Sequence, residues 1–244
     1  MRPLIGITPD FRPAKPADAV RGAAYQLYAS YTRAIHLAGG LGVALPLAEP
    51  ELAAATLERL DGLLLTGGPD IPPAAYGETP REEVVEMAGE RWASDRLWFE
   101  TARGRNMPIL GVCLGMQEMH VIAGGKMIQH IEGSADASTH TNDSGIQPHE
   151  VRIVPGCKLA RFAPGERLTI ASSHHQAVPA AAGPYRPTAF SDDGIIEAFE
   201  DPEADFVVGV QWHPERNSPQ PDWIIRGFVE ACVRFADRRG AIQP

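Results

Sequence analysis

Cys113 stands between two glycines in the stretch Gly111-Val112-Cys113-Leu114-Gly115-Met116-Gln117. The apolar run Met107-Pro108-Ile109-Leu110 before it predicts a buried strand, and a helix is predicted from Gln117 to Ala123, stopping at Gly124-Gly125. A chain that turns from strand to helix so abruptly excludes bulky neighbours and pushes the thiol out at the carboxyl end of the strand. The helix that follows offers unpaired N–H groups and the positive end of its dipole, both of which favour a thiolate. Other hydrolases carry serine at the same kind of corner. The competing reading is a small core cysteine beside turn glycines, since free cysteine is among the most buried residue types.

A second group lies in Gly209-Val210-Gln211-Trp212-His213-Pro214-Glu215. An apolar strand runs into His213, and on an extended segment residues two apart point the same way. The Glu215 carboxylate can therefore reach one ring nitrogen of His213 while the other faces elsewhere. A cysteine nucleophile needs that pairing: an imidazole as base and acid, and a carboxylate fixing its tautomer. Alone, His-x-Glu reads as a solvated pair; beside the Cys113 corner, the catalytic reading is the better one. His174 and His175 are adjacent, so on a strand they face opposite sides and do not share a metal, and no third ligand is evident. No metal is expected. Glu197 is either a buried partner of His213 or an exposed strand residue. Trp98, Phe99 and the set Tyr25, Tyr28, Tyr31 read as packing.

The elements that must position these groups alternate along the first half. Strands are predicted at Leu4 to Thr8, Val43 to Pro46 and Gly62 to Thr66, with helices at Tyr25 to Leu37, Glu51 to Leu60 and Trp92 to Arg103. Phe11 to Val20 reads as a loop, and so does the long Pro-rich stretch after Gly67-Gly68-Pro69-Asp70, of a length that is more often functional than idle. This order predicts a mostly parallel sheet with helices on both faces. The second half predicts short strands at Lys126 to Ile131, Glu150 to Val154, Leu168 to Ser172, Pro187 to Phe190, Ile195 to Phe199 and Phe206 to Gln211, part of them antiparallel. Ser134 to Ile146 reads as a surface loop and Asp222 to Arg238 as a closing helix that holds Cys232 in its packing face.

With 244 residues, 44% hydrophobic and 22% charged, the chain has the composition of one α/β domain spanning 1–244. A net charge of −9 argues against nucleic-acid binding, which needs basic patches. Cys113, Cys157 and Cys232 are odd in number and far apart, which fits a reducing compartment. No signal-peptide core or membrane-spanning run is read, so a cytoplasmic location is expected.

These residues carry a resemblance. Gly-x-Cys-x-Gly-x-Gln and the late His-Pro-Glu resemble the class I glutamine amidotransferase-like superfamily. Within it, the chain looks most like the γ-glutamyl-γ-aminobutyrate hydrolase (γ-glutamyl peptidase-like) branch. The branch marks are Leu65-Thr66-Gly67-Gly68-Pro69-Asp70-Ile71 with Pro73, Tyr76 and Gly77; Ser172-Ser173-His174-His175-Gln176-Ala177-Val178; and Asp193-Gly194-Ile195-Ile196-Glu197. The resemblance runs from about Pro3 to the final helix.

It implies a flavodoxin-like fold and a Cys113–His213–Glu215 triad that cleaves a γ-glutamyl amide through a thioester, with no cofactor, in polyamine or amine catabolism. It implies that the N–H of Leu114 and one in the Gly67-Gly68 turn hold the oxyanion, that Gln117 helps hold the glutamyl head group, and that one of His174 and His175 lines its pocket. The partner expected is a small γ-glutamyl amide, with no nucleic acid and no membrane; a homodimer stays open. Three positions depart from the branch: Leu114 stands where arginine is usual, Ala171 and His120 where asparagine is frequent. They leave the chemistry intact and open the substrate. The alternative function is a glutaminase subunit or domain that supplies ammonia to a synthetase partner, which Leu114 favours mildly. A catalytically dead binding protein is disfavoured, because no triad position is lost.

Overall fold

The computed structural model describes residues 2–15, 22–131, 140, 147–216 and 222–242. In chain order the elements are β1 Leu4–Ile7, β2 Asp10–Arg12, β3 Ala24–Gln26, α1 Ala29–Leu37, β4 Leu41–Ala44, α2 Pro50–Leu57, β5 Gly62–Leu65, α3 Gly89–Gly104, β6 Ile109–Val112 and α4 Leu114–Ile122. The second half adds β7 Gln147–Ile153, β8 Arg167–Ser172, β9 Arg186–Ser191, β10 Ile196–Glu200, β11 Val207–Val210 and α5 Trp223–Ile242.

Nine strands form one sheet in the order β4-β1-β5-β6-β11-β10-β9-β7-β8. The five from β4 to β11 are parallel, and every pairing from β11 onward to β8 is antiparallel. β5 and β6 are buried along their whole length, since both faces of the sheet are covered. Leu64, Leu110 and Val112 point to the face packed by Tyr31, Ala34 and Ile35 of α1 and Ile224, Phe228 and Cys232 of α5. Leu63, Leu65 and Ile109 point to the other, under Ala53 and Leu57 of α2, Trp98 and Phe99 of α3 and Met116 and Met119 of α4. The period-two side-chain alternation of each strand thus feeds two cores.

Four expectations are corrected. The stretch read as a loop from Phe11 holds one arm of a hairpin, β2 paired antiparallel with β3, where Phe11 packs on Tyr25. Both arms are three residues long, too short for their alternation to show. Tyr25 therefore belongs to this hairpin, and α1 starts only at Ala29. Lys126 to Ile131 forms an isolated bridge, Ile128 to Ala177, instead of a strand. β8 ends at Ser172, so His174 and His175 lie in a turn. Of the loop expected at Ser134 to Ile146, His140 alone is described, and it is fully buried; the rest lies outside the described residues. No described helix is long and apolar enough to cross a membrane.

Candidate active site

The parallel strands β1, β5, β6 and β11 end at one edge of the sheet, where open α/β sheets gather their functional loops. Cys113 follows β6 and precedes the first residue of α4, with φ 52° and ψ −106°. Positive φ is uncommon for a side-chain-bearing residue and marks local strain held by its surroundings. Two backbone bonds hold it: Cys113 N–H donates to the Val210 carbonyl at 2.8 Å, and the Cys113 carbonyl accepts from Gln117 N–H at 3.1 Å. Gly115 lets α4 lie against β5, since a Cβ there would stand 2.4 Å from the Leu65 carbonyl oxygen.

His213 follows the end of β11 and lines the same cleft as Cys113. Its Nδ1 lies 2.8 Å from Glu215 Oε1, so the proton there points to the carboxylate and Nε2 is left for the sulfur. Burial alone would lower the His213 pKa. The charge of Cys113, the hydrogen bond to it and Glu215 together push it up to about 9. The three side chains named from the sequence thus converge, and Cys113 is 7% exposed at the bottom of a cleft of about 590 Å³. The cleft is walled by Asp10 and Arg12 of β2, Tyr28, Tyr31, Gly67, Gly68 and Arg216, among others.

The Gly67-Gly68 turn reaches Cys113, whose Cβ a Cβ on Gly67 would approach to 3.6 Å. Gly67 N–H is committed to the Tyr31 hydroxyl at 2.9 Å, which leaves Gly68 and Leu114 as the donors suited to an oxyanion. Beneath the turn lies Arg91 of α3, fully buried. Its Nη1 is 2.9 Å from Asp10 Oδ1, its Nε 3.1 Å from Asp95 Oδ2, and its Nη2 donates to Thr66 Oγ1 at 3.1 Å and the Gly67 carbonyl at 3.3 Å. A Cβ on Gly68 would come within 2.1 Å of that guanidinium.

Other expected residues sit elsewhere. Gln117 is buried and does not line the cleft; its Nε2 donates to Gln211 Oε1 at 3.1 Å, and Gln211 Nε2 donates to Cys113 Sγ at 3.4 Å. The Leu114 side chain is 1% exposed and packs in the core. Neither His174 nor His175 lines the cleft, whereas Ser173 does. The turn after β8 swings the two rings away: His175 Nε2 pairs with Asp70 Oδ1 at 3.1 Å, and His174 turns toward Glu197. Glu197 is buried, as one of its two readings had it, but its partners are His140, His149 and His174 and not His213, which Glu215 already serves. His120 is buried with Nε2 2.9 Å from the Lys126 carbonyl. Sequence reasoning missed Tyr31, Arg91 and Gln211. Tyr31 was legible only as packing, Arg91 lay one residue before the predicted helix without a reading of its own, and Gln211 lay inside the His213 motif without a stated role.

The sequence profile of the Peptidase C26 family spans residues 3–215. Protein NtpR of Enterococcus hirae is 35% identical over 190 residues, covering 76% of this chain and 79% of its own length. A γ-glutamyl-γ-aminobutyrate hydrolase of Escherichia coli O157:H7 is 33% identical over 230 residues, covering 88% of this chain and 90% of its own. Among solved structures, the glutaminase domain of Trypanosoma brucei CTPS with bound acivicin superposes with a TM-score of 0.64 at 18% identity, over 95% of this chain and 94% of that one. At that identity the likeness concerns the fold.

Proposed function

From the premise that the chain belongs to the Peptidase C26 family, and is therefore a hydrolase of the glutamine amidotransferase-like kind, we propose that it cleaves a γ-glutamyl amide to glutamate and free amine. The carrying observation is Cys113 at a strained strand-to-helix corner, in contact with a His213 whose other nitrogen rests on Glu215. The name of the Escherichia coli relative supports γ-glutamyl-γ-aminobutyrate or a related γ-glutamyl amine as substrate.

In this reading the Cys113 thiolate attacks the γ-carbonyl carbon, and the carbonyl π electrons move to oxygen. The N–H groups of Gly68 and Leu114 hold that oxyanion. His213, as imidazolium, gives its Nε2 proton to the departing amine as the C–N bond breaks and a γ-glutamyl thioester remains. Water then attacks the thioester, His213 takes its proton, and the C–S bond breaks to return the thiolate. Glu215 holds the His213 ring in place through both steps. Gln211 and Gln117 act as positioning residues behind the sulfur. Asp10, Arg12 and Arg216 give the cleft groups of both signs, suited to the charged ends of a glutamyl substrate.

The test is hydrolysis of a panel of γ-glutamyl amides by the purified chain alone. Turnover without a partner is expected. A negligible basal rate that rises strongly when a co-purifying synthetase is added would replace this reading with the ammonia-supplying glutaminase.

A further inference from the structure

On the antiparallel side of the sheet, His140, His149 of β7, His174 and Glu197 of β10 converge. Their outer hydrogen bonds fix their tautomers. His140 Nε2 is 2.9 Å from Asp193 Oδ2, and a carboxylate only accepts, so the proton sits on Nε2. His174 Nδ1 is 2.8 Å from the Gln176 carbonyl, so its proton sits on Nδ1. In the neutral rings the nitrogens turned inward are bare. His140 Nδ1 and His174 Nε2 stand 3.2 Å apart. They lie 3.3 and 3.5 Å from Glu197 Oε1, and His149 Nε2 lies 3.1 Å from the same oxygen. Glu197 Oε2 is buried with no hydrogen-bond partner among the described residues. Lone pairs facing an anion at these distances, away from water, call for a positive charge there, either a proton on an imidazole or a metal ion.

The spacing says which kind. Ligand atoms about 2.0–2.1 Å from a tetrahedral zinc stand roughly 3.3–3.4 Å from one another. Four of the six separations among these atoms, 3.1 to 3.5 Å, lie around that value, while the His140, His149 and Glu197 atoms as a group lie within 4.8 Å of one another, so a bound ion would draw His149 inward. Imidazoles whose far nitrogen is tied to a carboxylate or a carbonyl are how proteins orient ligands to such metals. His140, His149 and Glu197 alone already meet the spacing of a metal-holding group. A proton on an imidazole is the competing occupant: burial lowers the His140 pKa, but Glu197 and Asp193 outweigh it and raise it.

We propose that His140, His149, His174 and Glu197 bind a divalent cation of the zinc class in a closed structural site. Three imidazoles and a carboxylate leave no open position for substrate, so the site is separate from the Cys113 chemistry. It clamps β7, β10 and the turn carrying Ser173 onto one another. That turn also touches the active site, because the Gln176 carbonyl that orients His174 lies 3.5 Å from Gln117 Nε2.

The experiment strips the purified full chain with a chelator, then titrates it with Co²⁺, followed by the visible absorption of the four-coordinate ion, and with Zn²⁺, followed by thermal unfolding. Expected are one equivalent of Co²⁺ bound with a tetrahedral spectrum and a midpoint raised by Zn²⁺. Cys113→Ala should bind like wild type. Asp193→Asn should bind about 10–100-fold more weakly, and His149→Ala and Glu197→Gln more weakly still. If Glu197→Gln fails to fold, His149→Ala carries the comparison, since His149 lies at the edge of the cluster. No Co²⁺ uptake by wild type, undiminished affinity in His149→Ala, or loss of binding in Cys113→Ala would each overturn the proposal.

Discussion

Cys113 and His213 act on each other, and the consequence is measurable at both groups. Cys157 and Cys232 sit where burial pushes their thiols up, Cys232 further than Cys157, with the charge of Asp61 adding to the burial at Cys232. Iodoacetamide followed by peptide mapping should therefore modify Cys113 well ahead of the other two. Cys113→Ala should bring turnover to background while leaving the far-ultraviolet spectrum unchanged; equal labelling of all three thiols, or an active alanine variant, would remove Cys113 from the chemistry. The pH profile tests His213. In the proposed mechanism the imidazolium donates to the leaving amine; it persists below its pKa of about 9 and is lost as pH rises through that value. The alkaline limb of kcat/KM, which reports the free enzyme, should lie near there. Glu215→Gln removes one of the influences that raise this pKa, so the limb should move to lower pH. A limb that stays in place would mean that another group sets it.

Between the elements, the decisive contact joins α3 to the turn after β5. Arg91 spans Asp95, Asp10, Thr66 and the Gly67 carbonyl, and Glu118 of α4 is buried beside it. Burial and the neighbouring Asp95 charge raise the Glu118 carboxyl well above its usual range. Burial also pushes Asp95 up, but Arg91 holds it to about 6. Removing the guanidinium leaves carboxylates without their counter-charge. Arg91→Leu should cost about 3–5 kcal/mol of stability, read from urea unfolding. It should also lower kcat more than it raises KM, because the Gly68 N–H loses its support where charge develops in the transition state. A loss of stability with unchanged kcat would confine Arg91 to a structural role.

At the scale of the molecule, residues of the β2–β3 hairpin form one wall of the cleft. Leu114 is withdrawn into the core, so the side chain after the nucleophile does not face the substrate, and charge at the mouth of the cleft comes from Arg12 and Arg216. Arg12 is two-thirds exposed, which screens its charge. If Arg12 reads a carboxylate on the leaving amine, Arg12→Gln should lower the preference for γ-glutamyl-γ-aminobutyrate over γ-glutamyl-butylamine about tenfold, the low end for a charge-assisted hydrogen bond. The ratio of kcat/KM for the two amides checks this, and an unmoved ratio assigns the selectivity elsewhere. Leu114→Arg should instead destabilise, since it places a charge where a buried leucine packs against Gly68.

Local chemistry made part of this legible without a fold. Apolar runs at Met107 to Leu110 and Phe206 to Gln211, and glycines on either side of Cys113, pointed to a buried strand, a tight corner and a thiol at the carboxyl end of that strand. Strand periodicity predicted the pairing of His213 with Glu215 but not its form: β11 ends at Val210, and a single 3-10 turn from Pro214 to Arg216 brings the carboxylate to the ring. The parallel-then-antiparallel sheet followed from the change between strands separated by helices and strands separated by turns. What only the tertiary structure decided are contacts between residues far apart in sequence whose types carry no signal alone. Tyr31 meets Gly67 and Arg91 meets Asp10 because α1, α3 and the hairpin pack around one sheet edge. Glu197, ambiguous on its own strand, acquires its role from His140, His149 and His174, 57, 48 and 23 positions away in sequence. Leu114, beside Cys113 in sequence, is buried because its side chain packs in the core on the α4 side of the sheet and not in the cleft. Sequence spacing fixes which way neighbours point along one element; which element they then meet is a property of the packed sheet.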